Sequence, residues 1–243
     1  MQGRGSRFLW CLPAVFVLGV TALATSWTAF YIYHPSGFVG TLPSISETIS
    51  TAPCSIVFQF LMCVIAPCIV VTWLLNFTAT KSSIEMLAAS GRSTTLATAL
   101  NYASCFVGIL AGGFLAGLTA IRLHDGSLAH NWHIWLSEGF YSTQVIAFLI
   151  DSWCATARRS AQSSAAQTRA LRARWTIGLS AIAMSLVFLR LYISREIVAD
   201  PWMSQAIYVS CEYLLATLCF AYPMAQYTEV RAYYGGFREE VPA

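Results

Sequence analysis

Six apolar stretches, each about as long as a bilayer crossing, constrain this chain more than any other feature. A helix needs about 20 mostly apolar residues to cross a hydrocarbon core of about 30 Å. Residues 8–33, 53–77, 95–121, 134–154, 175–193 and 204–227 each supply such a run. Hydrophobic residues make up 57% of the 243 positions and charged residues only 10%, too few to cover a water-soluble surface. The expected fold class is therefore all-α: a polytopic membrane protein, one domain over residues 1–243, built as a bundle of six transmembrane helices. The net charge of +3 is small, and no stretch alternates basic residues with aromatics, which excludes nucleic acid as a partner. Membrane lipids remain as the expected partners.

Basic residues set the orientation. Arg4, Arg7, Lys81, Arg92, Arg158, Arg159, Arg169, Arg172, Arg174, Arg231 and Arg238 flank one side, whereas only Arg122 and Arg195 flank the other. Both termini are thus expected in the cytosol, with loops 33–52, 122–133 and 194–203 lumenal or extracellular. The first span follows Arg4 and Arg7 like a secretory signal, but its apolar run exceeds the ~7–15 residues of a signal core. An uncleaved anchor is the expectation, with cleavage at the small-x-small Ala22-Leu23-Ala24 as the alternative. On this topology the sequon Asn76-Phe77-Thr78 faces the cytosol and escapes glycosylation. The basic segment 158–174 has two readings, a topology determinant or a surface for anionic headgroups or a cytosolic partner.

Cys63, Cys68, Cys105, Cys211 and Cys219 lie within apolar runs, where a thiol packs as a small hydrophobe, so no structural disulfide is expected. Cys11 and Cys154 fall near span borders, where the choice is between packing and acylation. Gly108, Gly112, Gly113 and Gly117 repeat at small-xxx-small spacing and predict close helix approach. Pro67 and Pro223 interrupt the second and sixth spans and free backbone carbonyls there. No serine-hydrolase elbow, phosphate-binding glycine loop or His-Glu-x-x-His pair occurs, and no cofactor is implied.

An ionisable side chain at mid-membrane costs about 2.5–3.5 kcal/mol on insertion scales, so each needs a partner or a purpose. Glu138, Asp151, Arg190 and Glu212 are such residues. Counting ~1.5 Å per residue places Glu138, Glu212 and Arg190 in the outer half of the bilayer, beneath His130 and His133. Two readings stand: a polar pocket in which Arg190 neutralises the glutamates and admits a lipid headgroup, or an interhelical ion pair that fixes packing. His124, Asp125, His130, His133 and Glu138 fit no metal-ligand spacing, so no metal site is expected.

The first lumenal loop is the most distinctive stretch. It carries His34-Pro35-Ser36-Gly37, then Leu42-Pro43-Ser44-Ile45-Ser46-Glu47-Thr48, with Ser44 or Ser46 able to cap a short turn. Together with the His130 to Glu138 entry of the fourth span and Cys211-Glu212-Tyr213 in the sixth, this loop resembles the FRAG/DRAM/Sfk superfamily of six-span membrane proteins, over nearly the whole chain. Ala66-Pro67 and the ending Ala221-Tyr222-Pro223-Met224-Ala225-Gln226-Tyr227-Thr228-Glu229 are similar to its post-GPI-attachment-factor branch. Cys68 stands where that branch usually has Arg, and Pro223 where it usually has His.

The resemblance implies a lumenal role, in the Golgi or endoplasmic reticulum, in exchanging fatty chains of glycosylphosphatidylinositol (GPI) anchors, with GPI-anchored proteins as partners. It leaves open whether such a protein is the acyltransferase or a lipid-presenting accessory. His133, Glu138 and Glu212 are the expected catalytic set, with His133 as base. Arg190, Ser44, Ser46 and Tyr213 are the expected lipid contacts. The competing expectation is a non-enzymatic modulator of autophagy at lysosomes, or a scaffold for phosphoinositide kinase at the plasma membrane.

Overall fold

A computed structural model describes residues 6–33, 42–49, 52–121, 127–159, 164–194 and 200–235. Among these the secondary structure is helical throughout: α1 (Cys11–Tyr33), the single turn α2 (Ile45–Thr48), α3 (Cys54–Ala89), α4 (Thr95–Ala120), α5 (Ser127–Ala157), α6 (Ala165–Ser194) and α7 (Pro201–Gly235). Each expected span overlaps one of the long helices, the first three running past a helix end by one to three residues. Five of these, all but α5, contain a stretch long and apolar enough to cross a membrane. At 31 residues α5 has the length, but His133, Glu138, Gln144 and Asp151 break up its apolar run.

The long helices close into a ring. α1 packs on α3, α3 on α4, α4 on α5, α5 on α6, α6 on α7, and α7 returns to α1, while α7 also meets α3 and α5 across the middle. Sequence neighbours joined by short loops become antiparallel neighbours in space, the economical solution for a chain whose backbone polar groups must all be satisfied within helices. Trp73 of α3, Phe148 of α5 and Tyr222 of α7 meet at the centre; the Phe148 and Tyr222 rings stack at 3.9 Å and 11°. α3 ends where Gly91 takes φ +80°, and the N–H groups of Gly91 and Arg92 return to the carbonyls of Ala88 and Leu87, the left-handed stop for which glycine is suited.

Three of the four α4 glycines face close neighbours. A Cβ on Gly108 would collide with the indole of Trp73, one on Gly112 with Val70, and one on Gly117 would sit 3.0 Å from Leu136, whereas Gly113 faces nothing within 4 Å. Gly113 is therefore a residue of the outer face. Both prolines lie inside continuous helices, Pro223 buried in the bundle and Pro67 on an exposed face. All eight cysteines are free thiols, seven of them buried. Asn76, the sequon residue, is buried and its amide donates to Asp151, a position that leaves no room for a glycan in the folded bundle.

Overpacking a close-packed core costs typically about 1–3 kcal/mol. Gly108→Leu is expected to lower the thermal unfolding midpoint in detergent and broaden the size-exclusion peak, with Gly113→Ala unchanged in both; equal behaviour of the two variants would contradict the α3–α4 packing.

Candidate functional site

The Leu42-to-Ile49 segment is held into one end of the bundle by side chains from the helices around it. It builds its own turn first: Ser44 Oγ accepts from the N–H of Glu47, and Glu47 Oε2 accepts from the N–H of Ser44, the reciprocal capping box of a helix start. α7 then fixes the turn at three points. Gln205 Nε2 donates to the Leu42 carbonyl at 3.3 Å, Glu212 Oε2 accepts from the Ile45 N–H at 2.9 Å, and Tyr213 OH lies 3.4 Å from Thr48 Oγ1. α1 supplies Trp27, whose indole meets the Tyr213 ring edge-on at 5.1 Å. From α5, His133 Nε2 reaches Ser46 Oγ at 3.2 Å.

Below this turn lies a cavity of about 30 Å³, room for about one water or one small polar group. Ser46, His133, Ser137, Tyr141 and Glu212 form its polar wall, and Phe58, Leu115 and Phe220 belong to its apolar wall. Glu212 is 6% exposed and bonds, among the described residues, only to the Ile45 amide. A carboxylate so enclosed, answered by a single N–H, leaves acceptor capacity for a ligand group. His133 also ends a second cleft between α3 and α4, walled by Phe58, Gln59, Met62, Leu118 and Thr119.

The structure brings together Ser44, Ser46, His133, Glu212 and Tyr213 of the expected site. Glu138 and Arg190 stand apart. Five residues on from His133, Glu138 points about 140° round the helix, is half-buried and does not line the cavity. Arg190 is exposed on α6 and does not line it either, so the partner of Glu212 is a backbone amide rather than that guanidinium. His34, Pro35, Ser36, Gly37, Arg122, His124, Asp125 and Arg195 lie outside the described residues, as does the side chain of His130. No group of three His, Cys, Asp or Glu suited to a metal occurs among the described residues. Ser137 and Tyr141 were not singled out from sequence, yet a signal existed: His133, Ser137, Tyr141 and Gln144 recur at three- and four-residue steps, one stripe of α5.

A second polar cluster sits at the other end of the bundle. Asp151 of α5, 0% exposed, accepts from Asn76 Nδ2 at 2.8 Å, Tyr222 OH at 2.9 Å and Gln226 Nε2 at 3.1 Å, and pairs with Arg174 NH1 at 3.4 Å. Arg174 NH2 and Arg158 NH2 both reach Glu229 Oε2, at 3.1 and 3.3 Å. Arg174 is fully buried, which alters the reading of segment 158–174: Arg158 and Arg174 are internal ion-pair partners, while Arg159, Arg169 and Arg172 remain exposed.

The profile of the Frag1/DRAM/Sfk1/Cwh43P N-terminal domain matches residues 8–232, from the start of the first span to near the end of α7. The chain belongs to that family. No curated protein and no solved structure matches it. Both polar clusters of this Frag1-family protein lie inside the matched region, as does the whole helical ring.

Removing one partner of a buried ion pair costs about 3–5 kcal/mol, because the other charge is stranded. Arg174→Met is expected to lower the unfolding midpoint sharply, and adding Asp151→Asn to recover much of the loss; an additive further loss in the double variant would show that the two charges do not answer each other.

Proposed function

We propose that this Frag1-family protein takes part in the lipid remodelling of GPI anchors in the Golgi or endoplasmic reticulum membrane, exchanging fatty-acyl chains itself or presenting the lipid to an acyltransferase. The observation that carries the reading is the cavity where Ser46, His133 and Glu212 converge within an apolar bundle. A carboxyl that a bilayer protein encloses with a single amide as its hydrogen-bond donor, as Glu212 is here among the described residues, is a group suited to a ligand. We further propose that α5 is the sixth span and that both termini are cytosolic. That topology sets the α2 end of the bundle in the lumenal leaflet, on the side where GPI anchors lie. The Glu212-Tyr213 pair and the Ala221-to-Glu229 ending, similar to the post-GPI-attachment branch, support that branch over the others.

A second reading, a non-enzymatic scaffold or autophagy modulator, draws on the exposed Arg159, Arg169 and Arg172, which face anionic lipid or a cytosolic partner. Neutralising these three separates the readings: a scaffold loses its function, and a lumenal lipid-handling protein keeps it.

Mass spectrometry of GPI-anchor acyl chains tests the first reading. Cells lacking the protein are expected to carry altered chains, restored by wild type and not by Glu212→Gln. The glutamine oxygen can still accept from the Ile45 N–H, so the turn is retained while the charge is lost. Unchanged chains in the deficient cells would move the assignment to the scaffold.

A further inference from the structure

We infer that Ser46 and His133 form a nucleophile–base dyad and that the acyl chain passes through a covalent ester on Ser46. This rests on the acyl-exchange reading and adds to it a catalytic residue, a direct rather than accessory role, and a substrate class: glycerolipid esters as donor, and the free hydroxyl of a lysolipid as acceptor.

Geometry distinguishes this serine from the others nearby. Ser46 Oγ lies 3.2 Å from His133 Nε2, within reach for proton transfer, and both residues border the cavity, which an ester carbonyl reaches only as neighbouring side chains give way. Ser137 borders the same cavity without a histidine partner among the described residues. The turn that carries Ser46 is also immobilised on every side. Ser44 and Glu47 cap each other, Glu212 holds the amide of Ile45, and Tyr213 meets Thr48. The short helix needs this pinning to form at all, and the same contacts hold Ser46 Oγ in one position, which nucleophilic attack requires because it tolerates little positional spread. Tyr141 borders the cavity, and its hydroxyl bonds to no described residue, so it is a donor available to the oxyanion.

With the imidazole proton on Nδ1, Nε2 takes the Ser46 hydroxyl proton as Oγ attacks the ester carbonyl. Collapse of the tetrahedral adduct breaks the acyl–oxygen bond of the donor, and the departing alkoxide takes the proton from Nε2 to leave as an alcohol. The acceptor hydroxyl then gives its proton to Nε2 and attacks the acyl-serine, and Oγ leaves with that proton. No oxidant, reductant or metal enters the balance.

The test is labelling of the full-length protein, purified into lipid nanodiscs, with a long-chain alkyl fluorophosphonate, the adduct being located by peptide mass spectrometry. A single adduct on Ser46 is expected, absent in Ser46→Ala, slowed by about 10²-fold or more in His133→Gln, and unaffected by Ser142→Ala, a serine exposed on the outer face of α5. Each variant is compared with wild type by size exclusion and unfolding midpoint before labelling. No adduct on well-folded wild type, or labelling that persists at the wild-type rate in His133→Gln, overturns the dyad. The probe carries no GPI chemistry, so its outcome is independent of the anchor analysis. Rescue of anchor chains by Ser46→Ala would refute the dyad while leaving an accessory role intact, and labelled Ser46 with unchanged anchors would refute the GPI assignment while leaving the dyad.

Discussion

A hydrocarbon interior offers no water to a charge, so every ionic group carried into the bundle must be answered by another part of the chain, and the answer to Asp151 organises the rest of the structure. Desolvating such a pair costs several kcal/mol per ion, and the attraction alone does not return it unless hydrogen bonds complete the shell. Asp151 meets that condition with hydrogen bonds from Asn76 of α3 and from Tyr222 and Gln226 of α7, beside its ion pair with Arg174 of α6. Four helices are thereby locked in one register, with Arg174 passing the constraint on to Glu229 and Arg158.

That register is transmitted along rigid helices to the other end. His133 lies eighteen residues before Asp151 on α5, about 27 Å away, and Glu212 fourteen before Gln226 on α7, about 21 Å away. The small α4 glycines let α3 and α4 close on each other, and the Trp73, Phe148 and Tyr222 cluster fills the space between. The polar cavity thus sits between helices whose relative heights are decided elsewhere. Slippage of α5 against α7 by one residue would move His133 about 1.5 Å relative to Glu212, enough to break the contact through Ser46.

The short turn at Ile45–Thr48 closes the cavity and supplies Ser46 to its polar wall. Its four residues could not hold a helix alone, since nucleation is unfavourable at that length. The capping box satisfies two orphan N–H groups, Glu212 a third, and Ile45 and Thr48 are buried between α1 and α7. An uncapped loop there would leave amides facing apolar surroundings.

Length and apolarity of the six runs were sufficient to determine the helical membrane fold, because the bilayer admits few other solutions, but not the helix ends: α3 continues to Ala89 and α6 begins at Ala165, in stretches whose polarity hides their helical continuation. The sequence by itself also marked Ser44, Ser46, His133, Glu212 and Tyr213, since hydroxyls, a histidine and a carboxylate are conspicuous where apolar residues are the norm. It misjudged Arg174, counted as a surface charge because it stands in a basic run, although helix phase turns it inward while Arg169 and Arg172 face out. It overvalued Glu138 and Arg190, whose depth matched the site but whose direction did not. Depth follows from counting along one helix; direction toward a neighbour depends on how the helices rotate and pair, which is settled only when the ring closes. The pairing of Ser46 with His133 across 87 positions, the amide that answers Glu212 and the four partners around Asp151 all belong to that second kind of information.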